Sequence, residues 1–239
     1  MLGYLTGNSR PELAFAHHQC ARYSHAPRRI HEVALKRIGR YLLHTKDKGL
    51  IMKPTDDLKI ECYVDADFAG LWGSEDPNSP NSVKSRTGYV IMIGRSPVFW
   101  ASKMQTETAM STMESEYIAL STAMKDLIPV RRLLNEICDA TGLEPEREAT
   151  MKASLRSTTK VHEDNAGCLI LANTPLPYMT PRSKHYGTKY HWFRSHVGKT
   201  SEGSLDVVKV DTKINIADIM TKGLPKTDFE RLRYMLVGW

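Results

Sequence analysis

Between Leu58 and Asp65 the apolar residues fall on every second position. Leu58, Ile60, Cys62 and Val64 share one side, the period of a half-buried β-strand. Two further short strands are predicted over Thr87–Ile93 and Pro97–Ser102, joined by Gly94-Arg95-Ser96. The Ser/Asn/Pro-rich stretch from Ser74 to Ser85 fits no periodic element and reads as a loop. Three strands with short connections imply an antiparallel meander. The period then changes to that of a helix. Met113, Glu116/Tyr117, Leu120, Met124, Leu127, Leu134 and Ile137 mark a long helix from about Met110 to Cys138, with Pro129 expected to kink it.

A polar stretch over residues 139–159 reads as a linker to a strand at Lys160–Glu163. A short helix over Asn165–Asn173, a Pro-rich turn over Thr174–Pro181 and a helix over Lys184–Val197 follow, leading into a strand at Leu205–Val210. Helical segments around Ala217–Met220 and Lys226–Leu236 close the chain. Three antiparallel strands followed by alternating helices and strands describe an α/β fold with a mixed sheet. Upstream, two helices are predicted, Arg10–Tyr23 and Arg28–His44, the first with Pro11 in its opening turn. Pro54-Thr55-Asp56-Asp57 reads as a linker, which divides the chain into a helical segment, 1–54, and a main domain, 55–239. Two helices bury little by themselves, so the first segment reads as the tail of a larger domain.

Composition narrows the class. The 239 residues are 41% hydrophobic and 25% charged, values of an ordinary globular chain that exclude a collagen-like or wholly disordered one. No run approaches the roughly 18 apolar residues of a membrane span, so no membrane partner is expected. Met1–Ala16 lacks a basic stretch followed by an apolar core, so a secreted protein is not expected. The net charge of +6 is unevenly placed: residues 1–54 hold ten Lys/Arg against three Asp/Glu, and the remainder 23 against 24. A basic appendage on a neutral body fits either a solvated helix face or a polyanion partner such as nucleic acid. Cys20, Cys62, Cys138 and Cys168 show no paired spacing, so neither a zinc site nor a disulfide framework is indicated. His17 and His18 are adjacent and would point about 100° apart on a helix, unable to face one ion together.

The chemistry resides in acids at element ends. Asp65 and Asp67 close the first strand, Asp164 follows the fourth, and Asp218 opens a terminal helix. Glu116 lies four residues before Leu120, on the apolar side of the long helix. A carboxylate in an apolar face is costly unless paired or metal-bound. Oxygen ligands without His or Cys select Mg²⁺ or Mn²⁺, and two such ions about 4 Å apart can stabilise both oxygens of a phosphodiester exchange. Asp65 and Asp67 share a strand face, and geometry alone does not separate them. Glu114 is about 200° round the helix from Glu116 and is expected to face solvent or cap the helix.

Six ordered blocks carry a resemblance. They are Tyr63-Val64-Asp65-Ala66-Asp67-Phe68-Ala69-Gly70, Ser85-Arg86-Thr87-Gly88-Tyr89, Ser111-Thr112-Met113-Glu114-Ser115-Glu116-Tyr117-Ile118-Ala119-Leu120, Glu163-Asp164-Asn165, Arg182-Ser183-Lys184-His185 and Ala217-Asp218-Ile219-Met220-Thr221-Lys222. Together they resemble the ribonuclease H domain of copia-type LTR retrotransposon polyproteins. Residues 1–54 resemble the segment that joins reverse transcriptase to that domain. The resemblance implies a ribonuclease H-like fold, a mixed five-stranded sheet flanked by helices. It also implies two-metal hydrolysis of the RNA strand of RNA/DNA hybrids, with two Mg²⁺ ions for which Mn²⁺ can substitute. The family's metal-binding acids fall on Asp65, Glu116, Asp164 and Asp218, with Asp65 preferred over Asp67 because the motif matches there.

Implied partners are an RNA/DNA hybrid and the polymerase domain of the parent polyprotein, in a cytoplasmic retrotransposon particle or in the nucleus. Arg182, Lys184, Lys189 and Arg194 interleave with Tyr186, Tyr190, Trp192 and Phe193, which suggests phosphate contacts along the hybrid, alongside aromatic packing on the sheet. The chain departs from many ribonucleases H in one respect: residues 207–217 hold no histidine before the last aspartate. No polymerase core is present. The alternative is a catalytically inactive nucleic-acid-binding remnant. A transposase or integrase is disfavoured, because those enzymes place the glutamate last and here it is second.

Overall fold

The computed structural model describes residues 1–53, 59–75, 78–79, 81–140, 158–175, 178, 190–200 and 203–239. The alternating stretch is strand β1 (Ile60–Asp67), followed by β2 (Arg86–Ile93) and β3 (Ser96–Met104). Helix α4 (Thr112–Ala140) comes next, then β4 (Thr159–Glu163) and α5 (Ala166–Asn173). Before β1 lie α1 (Leu2–Asn8), α2 (Ala14–Ala21) and α3 (Arg29–His44). After α5 lie β5 (Gly198–Thr200), β6 (Gly203–Lys209), α6 (Asp218–Thr221) and α7 (Lys226–Val237). The strands form one mixed sheet in the order β3-β2-β1-β4-β6-β5. β1, β2 and β3 pair antiparallel, as the meander requires, while β1–β4 and β4–β6 are parallel. The five strands expected from the sequence are joined by β5, a three-residue edge strand antiparallel to β6. No helix among the described residues is long and apolar enough to cross a membrane.

Two apolar clusters cover the two faces of the sheet. On one, Tyr117, Leu120, Met124 and Leu127 of α4 pack on Cys62, Val64, Tyr89, Ile91, Val161 and Leu205, all but inaccessible to solvent. On the other, Val90 and Met92 of β2 meet Ile219 and Met220 of α6, Leu236 and Val237 of α7, and Ala14 of α2. The N-terminal segment therefore shares a core with the sheet it precedes. Trp100 of β3 donates its indole N–H to the Thr6 carbonyl at 2.6 Å, and Arg22 forms a bidentate pair with Glu75 at 2.8 and 3.1 Å.

Several elements differ from the sequence reading. The helix expected over Arg10–Tyr23 is a 3₁₀ turn, Pro11–Leu13, running into α2, and α1 was not foreseen. Of the helix expected over Lys184–Val197, residues 192–196 are a 3₁₀ turn and Val197 is extended, while residues 184–189 lie outside the described residues.

Candidate metal centre

The site begins with a close approach across the sheet. Gly88 of β2 sits opposite Asp65 of β1. A Cβ built at Gly88 would lie 2.5 Å from Thr221 Cγ2 and 2.6 Å from Met220 Cβ. Only a residue without a side chain lets α6 seat there, and that seat carries Asp218, Thr221 and Lys222 to Asp65. Asn215, fully buried, locks the turn before α6: its Nδ2 donates to the Val64 carbonyl at 2.9 Å and its Oδ1 accepts from the Ala217 N–H at 3.2 Å.

Asp65, 1% exposed, accepts a hydrogen bond from the Thr221 hydroxyl on Oδ2 and faces the Lys222 ammonium with Oδ1 at 3.4 Å. The same ammonium lies 3.1 Å from Asp218 Oδ1, an ion pair by distance without hydrogen-bond alignment. Burial disfavours its charge, but Asp65 and Asp218 more than compensate and raise the Lys222 pKa. Asp164 is half-buried and accepts from the Thr212 hydroxyl at 2.9 Å. The loop that lacks the family's histidine thus supplies a hydroxyl to an acid.

From α4 comes Glu116, buried with Oε2 unpartnered. From the end of β4 comes Glu163, whose Oε1 accepts the Asn165 N–H at 3.0 Å and whose Oε2 is also buried without a partner. Carboxylate oxygens of Asp65, Asp164 and Asp218 all lie within 4.8 Å of one another, and so do those of Glu116, Glu163 and Asp164. The four acids expected from the sequence converge, joined by Glu163, which the sequence reading passed over. Burial, reinforced by the neighbouring carboxylates, pushes Glu116 up to about 11 and Asp218 up to about 7. Glu163 is pushed up to about 8, chiefly by burial.

The alternatives now separate. Asp67 belongs to neither group of acids and lines an adjoining cavity of about 290 Å³ with Lys84, Arg86 and Lys222. Glu114 is not exposed: it is buried and caps α4, its Oε2 accepting from the Met110 N–H at 2.7 Å. Arg194 overturns the expectation of a phosphate contact. It is 5% exposed, and its guanidinium donates to the carbonyls of Thr174 and Tyr178, bracing a turn from inside. Arg182, Lys184 and Lys189 lie outside the described residues. His18 bonds Arg86 through Nδ1 at 2.9 Å, and neither adjacent histidine joins an acid group.

All the donors are carboxylate oxygens, Oε2 of Glu116 and of Glu163 are buried without partners, and one ammonium pairs with two of the five acids. That set suits hard divalent cations, which would satisfy the orphaned oxygens and offset the repulsion. The acids stand at the ends of the first and fourth strands of a mixed sheet flanked by helices. Over 93% of its length the chain is homologous to the retrovirus-related Pol polyproteins of copia-type transposons. It is 32% identical over 222 residues to the Pol polyprotein from transposon RE2 of Arabidopsis thaliana. It is likewise 32% identical over 222 residues to that from transposon TNT 1-94 of Nicotiana tabacum. The chain spans 13% and 14% of those two polyproteins. A secreted RxLR effector protein of Plasmopara viticola is 35% identical over 125 residues, 52% of this chain and 82% of that protein. No protein-family model matches. A solved ribonuclease H1 isolated from compost aligns at 18% identity with a TM-score of 0.44, covering 69% of this chain and 93% of that one.

Proposed function

We propose that the chain is a retrotransposon-type ribonuclease H that hydrolyses the RNA strand of RNA/DNA hybrids during reverse transcription. One observation carries the reading: five carboxylates from four separate stretches of chain meet at one end of the sheet, with buried oxygens lacking any partner. Asp65, Glu116, Asp164 and Asp218 would hold two divalent ions, Mg²⁺ in the first instance. When bound, such ions activate water and stabilise the leaving oxygen of a phosphodiester. The protein's own part is positional. Thr221 fixes the Asp65 carboxylate and Thr212 that of Asp164, so the ligands are set before the substrate arrives. Lys84, half-buried in the wall of the adjoining cavity, offers a cation to a neighbouring phosphate. On this reading the substrate is an RNA/DNA hybrid, the covalent partner is a polymerase domain, and the compartment is the cytoplasmic particle or the nucleus.

Asp65→Asn and Asp164→Asn remove ligand charge while keeping shape. Each is expected to abolish Mg²⁺-dependent cleavage of a labelled hybrid while leaving hybrid binding largely unchanged, with duplex DNA uncut. Wild-type cleavage by both variants would refute the assignment. A wild-type chain that binds hybrid and never cuts it would favour the inactive remnant.

A further inference from the structure

The four acids implied by the resemblance leave Glu163 without a task, and its position is an unfavourable one for an idle carboxylate. Thr159, Val161 and Glu163 share one face of β4, and all three are buried. At 0% exposure Glu163 is among the largest fully buried side chains of the molecule. A charge there costs several kcal/mol unless something answers it. One oxygen receives a single backbone N–H, from Asn165. The other makes no hydrogen bond by distance and angle; the buried Cys168 thiol is the polar neighbour of the carboxylate, and the charged groups bearing on it are the acids Asp164 and Asp65. Glu116 leaves an equally buried oxygen unpartnered beside it. Carboxylate oxygens of Glu116, Glu163 and Asp164 lie within 4.8 Å of one another, and with an orphaned oxygen on each glutamate they outline a cation position.

We infer that Glu163 is a fifth metal ligand, completing with Glu116 and Asp164 a carboxylate site for one divalent cation. This rests on the metal-centre reading above and adds to it a residue and an asymmetry. The Glu116–Glu163–Asp164 position brings three carboxylates and no protein cation into contact. The Asp65–Asp164–Asp218 position already holds the Lys222 ammonium between two of its acids, at 3.4 and 3.1 Å. An incoming ion must displace that ammonium at the second position, whereas at the first it meets no ammonium and displaces only carboxyl protons. The site containing Glu163 is therefore the tighter of the two and fills first.

The test is Mn²⁺ binding to the full chain without substrate, followed by calorimetry and by the loss of the free-ion paramagnetic resonance signal. The wild type is expected to bind two Mn²⁺ ions with different affinities. Glu163→Gln keeps the side chain's shape and can still accept the Asn165 N–H. It should weaken the tighter site by at least about tenfold, a typical cost of disturbing metal coordination, and leave the weaker one within about twofold. Asp218→Asn should do the reverse. Glu163→Asp, which keeps the charge but withdraws its oxygens, should also weaken the tighter site. Thermal melts in chelator identify any variant that fails to fold, and the other substitution then decides. Two unchanged sites in the folded Glu163 variants, or equal weakening of both, would overturn the assignment of Glu163. A wild type that binds no Mn²⁺ would instead overturn the metal-centre reading itself.

Discussion

Arg10 offers the sharpest test of how the N-terminal segment is held. The side chain is 5% exposed and pairs with Glu12, itself 3% exposed, at 2.7 Å. Its guanidinium also donates to the Thr45 hydroxyl at 2.7 Å and lies 5.5 Å from the ring centres of both Tyr41 and Trp239. One residue thus ties the 3₁₀ turn, the end of α3 and the C-terminus together. Arg10→Met keeps most of the volume but strands the Glu12 carboxylate, whose Oε2 is already buried without a partner. Breaking a buried pair from one side costs about 3–5 kcal/mol, and each lost cation–π contact about 0.5–1 kcal/mol more. These contributions share partners and do not simply add. A loss of about 4 kcal/mol is expected, a drop in Tm on the order of 10 °C for a chain of this size. The double variant Arg10→Met/Glu12→Leu removes both charges and should recover most of the loss, because a buried ion pair exchanged for apolar residues is often near neutral. Urea melts of the two singles and the double, analysed as a cycle, measure the coupling. A single-variant loss under about 1 kcal/mol, or a double variant no better than Arg10→Met, would refute the reasoning.

Two further expectations concern the acid cluster. Folded Glu116, Glu163 and Asp218 hold their protons to about 11, 8 and 7, well above where the unfolded chain releases them. Between about pH 4.5 and 8 the unfolded state therefore binds fewer protons, and metal-free stability should fall as pH rises. Denaturant melts in chelator at pH 5, 6.5 and 8 should show that fall, and Glu116→Gln should flatten it; stability that rises with pH would contradict the cluster's burial. Lys222→Gln should lower metal-free stability and tighten Mn²⁺ binding several-fold, since the resident ammonium no longer competes; weaker binding in a calorimetric titration would make Lys222 a supporting residue instead of a competitor.

The parts of the fold legible in the sequence are those fixed by local periodicity. The alternation from Ile60 to Val64 names β1 and its buried side, and the 3.6 period of α4 puts Glu116 with Leu120 against the sheet. What escaped depends on contacts between distant residues. Nothing near Ala14 announces that it packs with Leu236 and Val237. Arg194 amid aromatics reads the same whether it faces a phosphate or, as here, three backbone carbonyls in the interior. Glu114 caps α4, one of the two roles expected of it, but it is buried in doing so, because its carboxylate folds back onto the Met110 N–H ahead of the helix. Two signals were present and unread. Lys222 stands four residues after Asp218, the spacing of a helical ion pair, and Glu163 continues the inward parity of Val161.

The missing side chain at Gly88 makes the centre separable into halves. Asp218 and Thr221 ride on α6 with Lys222 at its end, seated against the hydrogen that Gly88 carries in place of a Cβ. Glu116, Glu163 and Asp164 ride on α4 and β4, anchored in the opposite cluster. A single methyl at position 88 would lever α6 outward, pulling Asp218, Thr221 and Lys222 off Asp65 while leaving Glu116, Glu163 and Asp164 undisturbed. Whether the Asp65–Asp164 pair gains its third carboxylate is thus set by an atom that belongs to no ligand.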